Sequence, residues 1–304
     1  FNKAAVTHIG PKLPTTWLAK TFHGCAFAAV RSAFPRRELT TAGGKSHRDY
    51  APIARIVGTS NSREIRELVQ ITDFAREIGV GLNIGPPNTT HTWEKLIMDR
   101  CQATPKKLDE LLSKMPLIFH HSQYEQDEDI RFGDMIYWCL AHDLSLRQYK
   151  HILVDEAQDL SPPQIGFLKL ISPPGGRIVA FGDEYQAIYG FRGSSANALD
   201  ELADAFNADT LPLSTSYRCA KLIVENAQQY SPKMEADPFN PDGEVITIED
   251  MELCPREFDY PIGRETAILC RNNAPIIRAA LRFLAEGHQV QIRSNLQGTL
   301  NNLF

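Results

Sequence analysis

His151-Ile152-Leu153-Val154-Asp155-Glu156-Ala157-Gln158-Asp159 (HILVDEAQD) decides how the chain is read. Ile152, Leu153 and Val154 run straight into Asp155 and Glu156, the pattern of a short buried strand that delivers two carboxylates at its carboxyl end. Open α/β sheets bind ligands at that end of their strands. The same alternation continues downstream, with a helical segment at 163–171, a Pro-Pro-Gly-Gly turn at 173–176 and a second apolar strand at 177–181. That strand runs into Gly182-Asp183-Glu184-Tyr185-Gln186-Ala187-Ile188-Tyr189-Gly190-Phe191-Arg192-Gly193, and a third element brings Ser216-Tyr217-Arg218-Cys219.

An apolar strand ending in Asp-Glu is an arrangement used by P-loop nucleotide hydrolases. There Mg²⁺ on a triphosphate wants one fixed carboxylate, and the attacking water wants a second group to orient or deprotonate it. In their order, VDEAQD, GDxxQAIYGFRG and SYRC closely resemble the superfamily 1 DNA helicases of the UvrD/Rep type. The resemblance implies an α/β fold of two RecA-like P-loop NTPase domains, each a parallel sheet flanked by helices. The first would span 1–205, with a helical subdomain inserted at about 40–128, and the second, incomplete, 206–304. It further implies an ATP-dependent translocase or helicase that couples ATP hydrolysis to unwinding, with single-stranded DNA and duplex junctions as partners. Two alternatives stay open: the helicase subunit of a helicase-nuclease, and a non-catalytic nucleotide or nucleic-acid binding module that kept the fold without turnover.

Carried over residue by residue, the resemblance makes Asp155 the Mg²⁺ residue, through water, because Mg²⁺ keeps much of its hydration shell. Glu156 becomes the general base on the attacking water. Gln158 and Gln186, neutral and able both to donate and accept hydrogen bonds, suit sensing the γ-phosphate of ATP. Arg218 would be the arginine finger and Tyr217 would stack on the adenine. In Tyr189-Gly190-Phe191-Arg192-Gly193, two aromatics and a cation between glycines suit stacking on bases of any identity.

The opening Phe1-Asn2-Lys3-Ala4 resembles a family segment whose aromatic residue lies on the single-strand path, giving Phe1 and Asn2 as DNA contacts. In that family the phosphate loop comes earlier, so the expectation is an internal stretch of a longer protein with little ATPase activity by itself. Gly43-Gly44-Lys45-Ser46 is not that loop, because Leu39 stands where the first glycine would fall and no buried strand precedes it. Residues 17–20 read as a short strand leading to Thr21-Phe22-His23-Gly24 at the start of a helix, a segment whose Thr21 and His23 would touch DNA phosphates. Helical periodicity covers 63–78, 92–115 and 131–146. Past 206, strands are expected at 244–248, 267–270 and 289–293, with helices at 222–230 and 274–286.

Composition agrees with a soluble globular protein, at 43% hydrophobic and 23% charged residues over 304 positions. No apolar run reaches the ~18 residues of a membrane span. Six cysteines without a CxxC pair indicate neither a zinc site nor a disulfide framework, and a cytoplasmic setting fits best. The net charge of −5 hides a basic amino-terminal end, where residues 1–50 hold eight Lys and Arg against two acids.

Overall fold

The computed structural model describes residues 3–35, 51–101, 105–124, 130, 133–187, 195, 197–246, 266–271 and 273–291. The chain forms two compact units, 1–213 and 214–304. It is a mixed α/β structure with small parallel sheets, and among the described residues no helix is long and apolar enough to cross a membrane.

Among the described residues seven α-helices precede the first strand: α1 (Lys3–Ile9), α2 (Phe22–Ala33), α3 (Ala51–Val57), α4 (Ser62–Glu77), α5 (Thr90–Cys101), α6 (Pro105–Tyr124) and α7 (Asp134–Ala141). Asn61 caps α4 by accepting from the Arg63 N–H, and Ile65, Leu68, Ile71 and Ala75 make its buried face. The helix stops where Gly79 takes φ +75° and the N–H groups of Gly79 and Val80 bond back to Arg76 and Ala75. The 92–115 periodicity resolves into two helices, α5 and α6. The 131–146 segment keeps its helix only to Ala141, and Asp143 at φ 45° turns the chain out.

One buried charge ties this helical layer together. The Arg76 Nε lies 2.9 Å from the Asp134 Oδ1, with side-chain exposures of 0% and 2%, and Asp73 approaches the same guanidinium at 3.2 Å. The Phe119 ring lies beside that guanidinium, 5.9 Å from centroid to Cζ. Helix α4 is thereby fastened to α7, whose Trp138 is fully buried and whose Tyr137 hydroxyl donates to the Val80 carbonyl at 2.7 Å.

After α7 come β1 (His151–Val154), α8 (Pro162–Ile171), β2 (Arg177–Ala180) and α9 (Ala198–Phe206). Strands β1 and β2 pair in parallel, His151 with Arg177 through Val154 with Ala180, and α8 is the crossover. Ser161 and Gln164 form a capping box at the start of α8, with Pro162 in its first turn. Ile152 and Val154 face the core beneath the helices. Leu153, by contrast, is 54% exposed and Val179 is exposed beside it. The strand expected to be buried is therefore buried on one face, because helices cover one side of this two-stranded sheet.

In the second unit β3 (Thr215–Ser216) pairs in parallel with β4 (Glu235–Ala236), with α10 (Lys221–Ala227) between them and α11 (Asn273–Ala285) further on. Four expected strands are not found among the described residues: 17–20, 244–246, 267–270 and 289–291 lie outside any ladder. Alternating or apolar sequence makes a strand only when a neighbouring strand takes up its backbone groups.

Arg76→Met leaves Asp134 buried without its charge partner, so it should destabilise the first unit by about 3–5 kcal/mol. Adding Asp134→Leu should recover most of that loss. Urea unfolding followed through the buried Trp93 and Trp138 measures both; a single variant within ~1 kcal/mol of wild type would contradict this.

Candidate functional site

The parallel register sets two loops side by side at the carboxyl ends of β1 and β2. The Phe181 N–H bonds to the Val154 carbonyl and the Ala157 N–H to the Phe181 carbonyl, both at 2.8 Å, so the pairing extends past both strand ends. Asp155 and Glu156 are exposed where the first loop begins. Glu156 sits in the left-handed region at φ 53° and ψ 46°, a conformation costly for a residue with a side chain, and a 3₁₀ turn over Ala157–Asp159 follows it.

Gln158 turns inward from that turn and is 3% exposed. Its Nε2 donates to the Glu156 Oε2 at 2.7 Å, and its Oε1 accepts from the Asp183 backbone N–H at 3.1 Å. Asp183 in turn accepts from the Tyr185 N–H at 3.0 Å and from the Gln186 Nε2 at 2.8 Å. A hydrogen-bonded chain thus runs from Glu156 through Gln158 and Asp183 to Gln186, whose side chain is exposed. Gln158 was expected to meet the nucleotide directly; here both ends of its amide are engaged by the protein, because the closely spaced loops leave it no path to solvent. Asp183, quoted in the second motif but given no separate role there, is the member that joins the two loops.

Asp159 lies next to this chain. Its Oδ1 is buried with no hydrogen-bond partner among the described residues, and burial, with the Glu156 carboxylate adding to it, pushes its carboxyl above the usual range. Among the described residues no group of three or more His, Cys, Asp or Glu is placed to hold a metal ion; Asp155, exposed at the strand end, is the single carboxylate that would suit Mg²⁺ carried mainly by water and substrate phosphate.

Thr21 caps α2, its Oγ1 accepting from the Gly24 N–H at 3.1 Å. His23, in the first turn, is lowered to about 4 chiefly by burial, so its ring is neutral at pH 7 and offers a phosphate hydrogen bonding without charge. Phe1, Asn2, Tyr189, Phe191 and Arg192 lie outside the described residues.

The second unit holds Tyr217 and Arg218, both exposed, in the turn after β3, with Tyr217 at 77%. Asn240 clamps this turn: its Nδ2 donates to the Ser216 carbonyl at 2.6 Å and to the Cys219 carbonyl at 2.8 Å. The Ser216 Oγ also accepts from the Cys219 N–H at 3.2 Å. Sequence spacing offered no sign of Asn240, which comes 24 residues after Ser216.

Residues 140–207 match the family model described as the UvrD/REP helicase N-terminal domain. Over 83 residues the chain is 32% identical to DNA helicase II of Haemophilus influenzae, covering 27% of this chain and 11% of that protein. It is 40% identical over 83 residues to the ATP-dependent DNA helicase srs2 of Schizosaccharomyces pombe, 27% of this chain and 9% of that one. With DNA helicase II of Escherichia coli the identity is 30% over 110 residues, 33% of this chain and 15% of that protein. The chain is thus similar to UvrD-type helicases over part of its length, and the matched stretches span well under a fifth of each of these relatives.

Because the folded-state pKa of Asp159 is raised, its protonated form favours the native state; that stability is fully present below the unfolded pKa and is lost as pH rises through the folded one. Asp159→Asn should therefore melt higher than wild type at pH 7, with the advantage fading toward pH 3. Thermal unfolding across that range checks it, and an advantage that grows on acidification would contradict the assignment.

Proposed function

We propose that this chain belongs to the motor of an ATP-dependent single-stranded DNA translocase of the UvrD type. The observation that carries this reading is the hydrogen-bonded convergence of Glu156, Gln158, Asp183 and Gln186 at the carboxyl ends of two parallel strands, inside the stretch that matches the helicase family model. Exposed carboxylates at that edge suit a nucleotide carrying Mg²⁺.

In this reading Asp155 would hold Mg²⁺ through water, and the bound ion would neutralise charge on the phosphates. Glu156 takes the proton of the attacking water, its carboxylate held by the Gln158 amide. Gln186 presents its amide toward the γ-phosphate from a turn capped by Asp183. Tyr217 stacks on the adenine, and Arg218 stabilises the transferred phosphoryl charge from the turn that Asn240 holds. In this reading residues 1–205 form a first RecA-like domain with a helical insertion at about 40–128, and residues 206–304 part of a second. Tyr189, Phe191 and Arg192, with Phe1, Asn2, Thr21 and His23, would contact single-stranded DNA, where stacking on aromatic faces contributes ~1–3 kcal/mol per base without sequence preference.

The test is ATP turnover by the full-length protein with and without single-stranded DNA. Wild type should be stimulated by DNA, Glu156→Gln should lose ~10²- to 10⁴-fold in kcat, and Arg218→Ala ~10³- to 10⁵-fold. Phe191→Ala with Arg192→Ala should weaken single-strand binding, and log affinity should fall against log salt by ~0.7 per phosphate neutralised. Turnover indifferent to DNA and to Glu156 would overturn the proposal.

A further inference from the structure

We infer that Gln158 is a positioning residue: through its two buried hydrogen bonds it holds the Glu156 carboxylate and locks it to the Asp183–Gln186 turn, without itself touching the nucleotide. This rests on the function proposed above for Glu156, and it changes the role of a residue whose type alone pointed to phosphate sensing.

The amide orientation follows from its partners. The Asp183 backbone N–H, 3.1 Å away, requires an acceptor, which places Oε1 there and turns Nε2 to the Glu156 carboxylate at 2.7 Å. At 3% exposure, leaving these partners would strand a buried donor and acceptor, each loss costing as much as a broken hydrogen bond. Gly182 makes the contact possible. A Cβ at that position would stand 2.8 Å from the Gln158 Oε1 and 3.0 Å from its backbone nitrogen. Glu156 also needs restraint, because its left-handed backbone, at φ 53°, is one that a non-glycine residue keeps only where its surroundings insist. Gln158 supplies part of that insistence and passes it to Asp183, whose carboxylate holds Gln186 at 2.8 Å. Movement at either loop is thereby felt by the other.

Three variants separate this from a direct ligand and from mere core filling. Gln158→Met keeps the volume and removes both hydrogen bonds. Gln158→Glu keeps an acceptor for Asp183 but sets a carboxylate against Glu156. Gly182→Ala keeps the Gln158 side chain but sets a Cβ 2.8 Å from its Oε1 and 2.8 Å from the Leu199 Cδ2, so the amide must shift. The first readout needs no activity: amide hydrogen exchange of Asp183 by NMR, protected in wild type, should quicken by about tenfold or more in Gln158→Met and stay protected in Gln158→Glu.

The second readout is ATP turnover by the full-length protein. All three variants should lower kcat by about 10- to 100-fold, the usual effect of loosening a supporting contact, while KM for ATP stays within about threefold. Adding Gln158→Met to Glu156→Gln should cost little more than Glu156→Gln alone. An Asp183 amide unprotected in wild type, a Gln158→Met kcat equal to wild type, or a loss confined to KM each overturns the inference. A wild type with a protected Asp183 amide but no DNA-stimulated turnover instead overturns the proposed function, and the catalytic part of this inference with it.

Discussion

Four rungs of parallel pairing between β1 and β2 are the constraint on which the rest of the first unit depends. Parallel strands cannot be joined by a tight turn, so the chain must cross over, and α8 makes that crossing with a proline and a capping box at its start. The consequence is that two loops far apart in sequence leave the same end of the sheet as neighbours. A buried glutamine between them then has one partner from each, and the acid at the first loop is held to the turn at the second.

The helices before β1 make that arrangement rigid. Trp93, Trp138, Phe119 and Phe167 fill one continuous core with the apolar faces of α4 to α8, and Arg76 with Asp134 places a charge pair in its midst. Such a pair adds little net stability over an apolar substitute, yet it penalises any packing in which the two helices separate. Asp134 is a structural residue here. The second unit repeats the principle on a small scale, with Asn240 fastening both carbonyls that flank Tyr217 and Arg218. In each unit an uncharged amide bonds across the loop that carries the candidate site residues.

Elements with strong local signals were legible before any coordinates. Capped amphipathic helices such as α2 and α4 can be read directly, as can the apolar strands ahead of Asp155 and Gly182. Of the strands expected at 17–20, 244–248, 267–270 and 289–293, the described residues join no ladder, because an extended segment is defined by its neighbour, and periodicity carries no information about one. The exposure of Leu153 has the same origin: an apolar residue records a preference for burial, and whether anything covers it depends on the rest of the fold.

The sequence by itself determined the identity and order of the candidate site residues, Asp155, Glu156 and Gln158, then Gln186, then Tyr217 and Arg218, since side-chain chemistry and spacing are local properties. Only the tertiary structure decided which of them are buried and which are exposed. Gln158 and Gln186 are the same residue type in similar motif positions, but one is buried between two loops with its hydrogen bonds committed, and the other is exposed with its amide resting on Asp183. That difference arises from the parallel pairing of strands 26 residues apart in register, a long-range contact that no local pattern encodes.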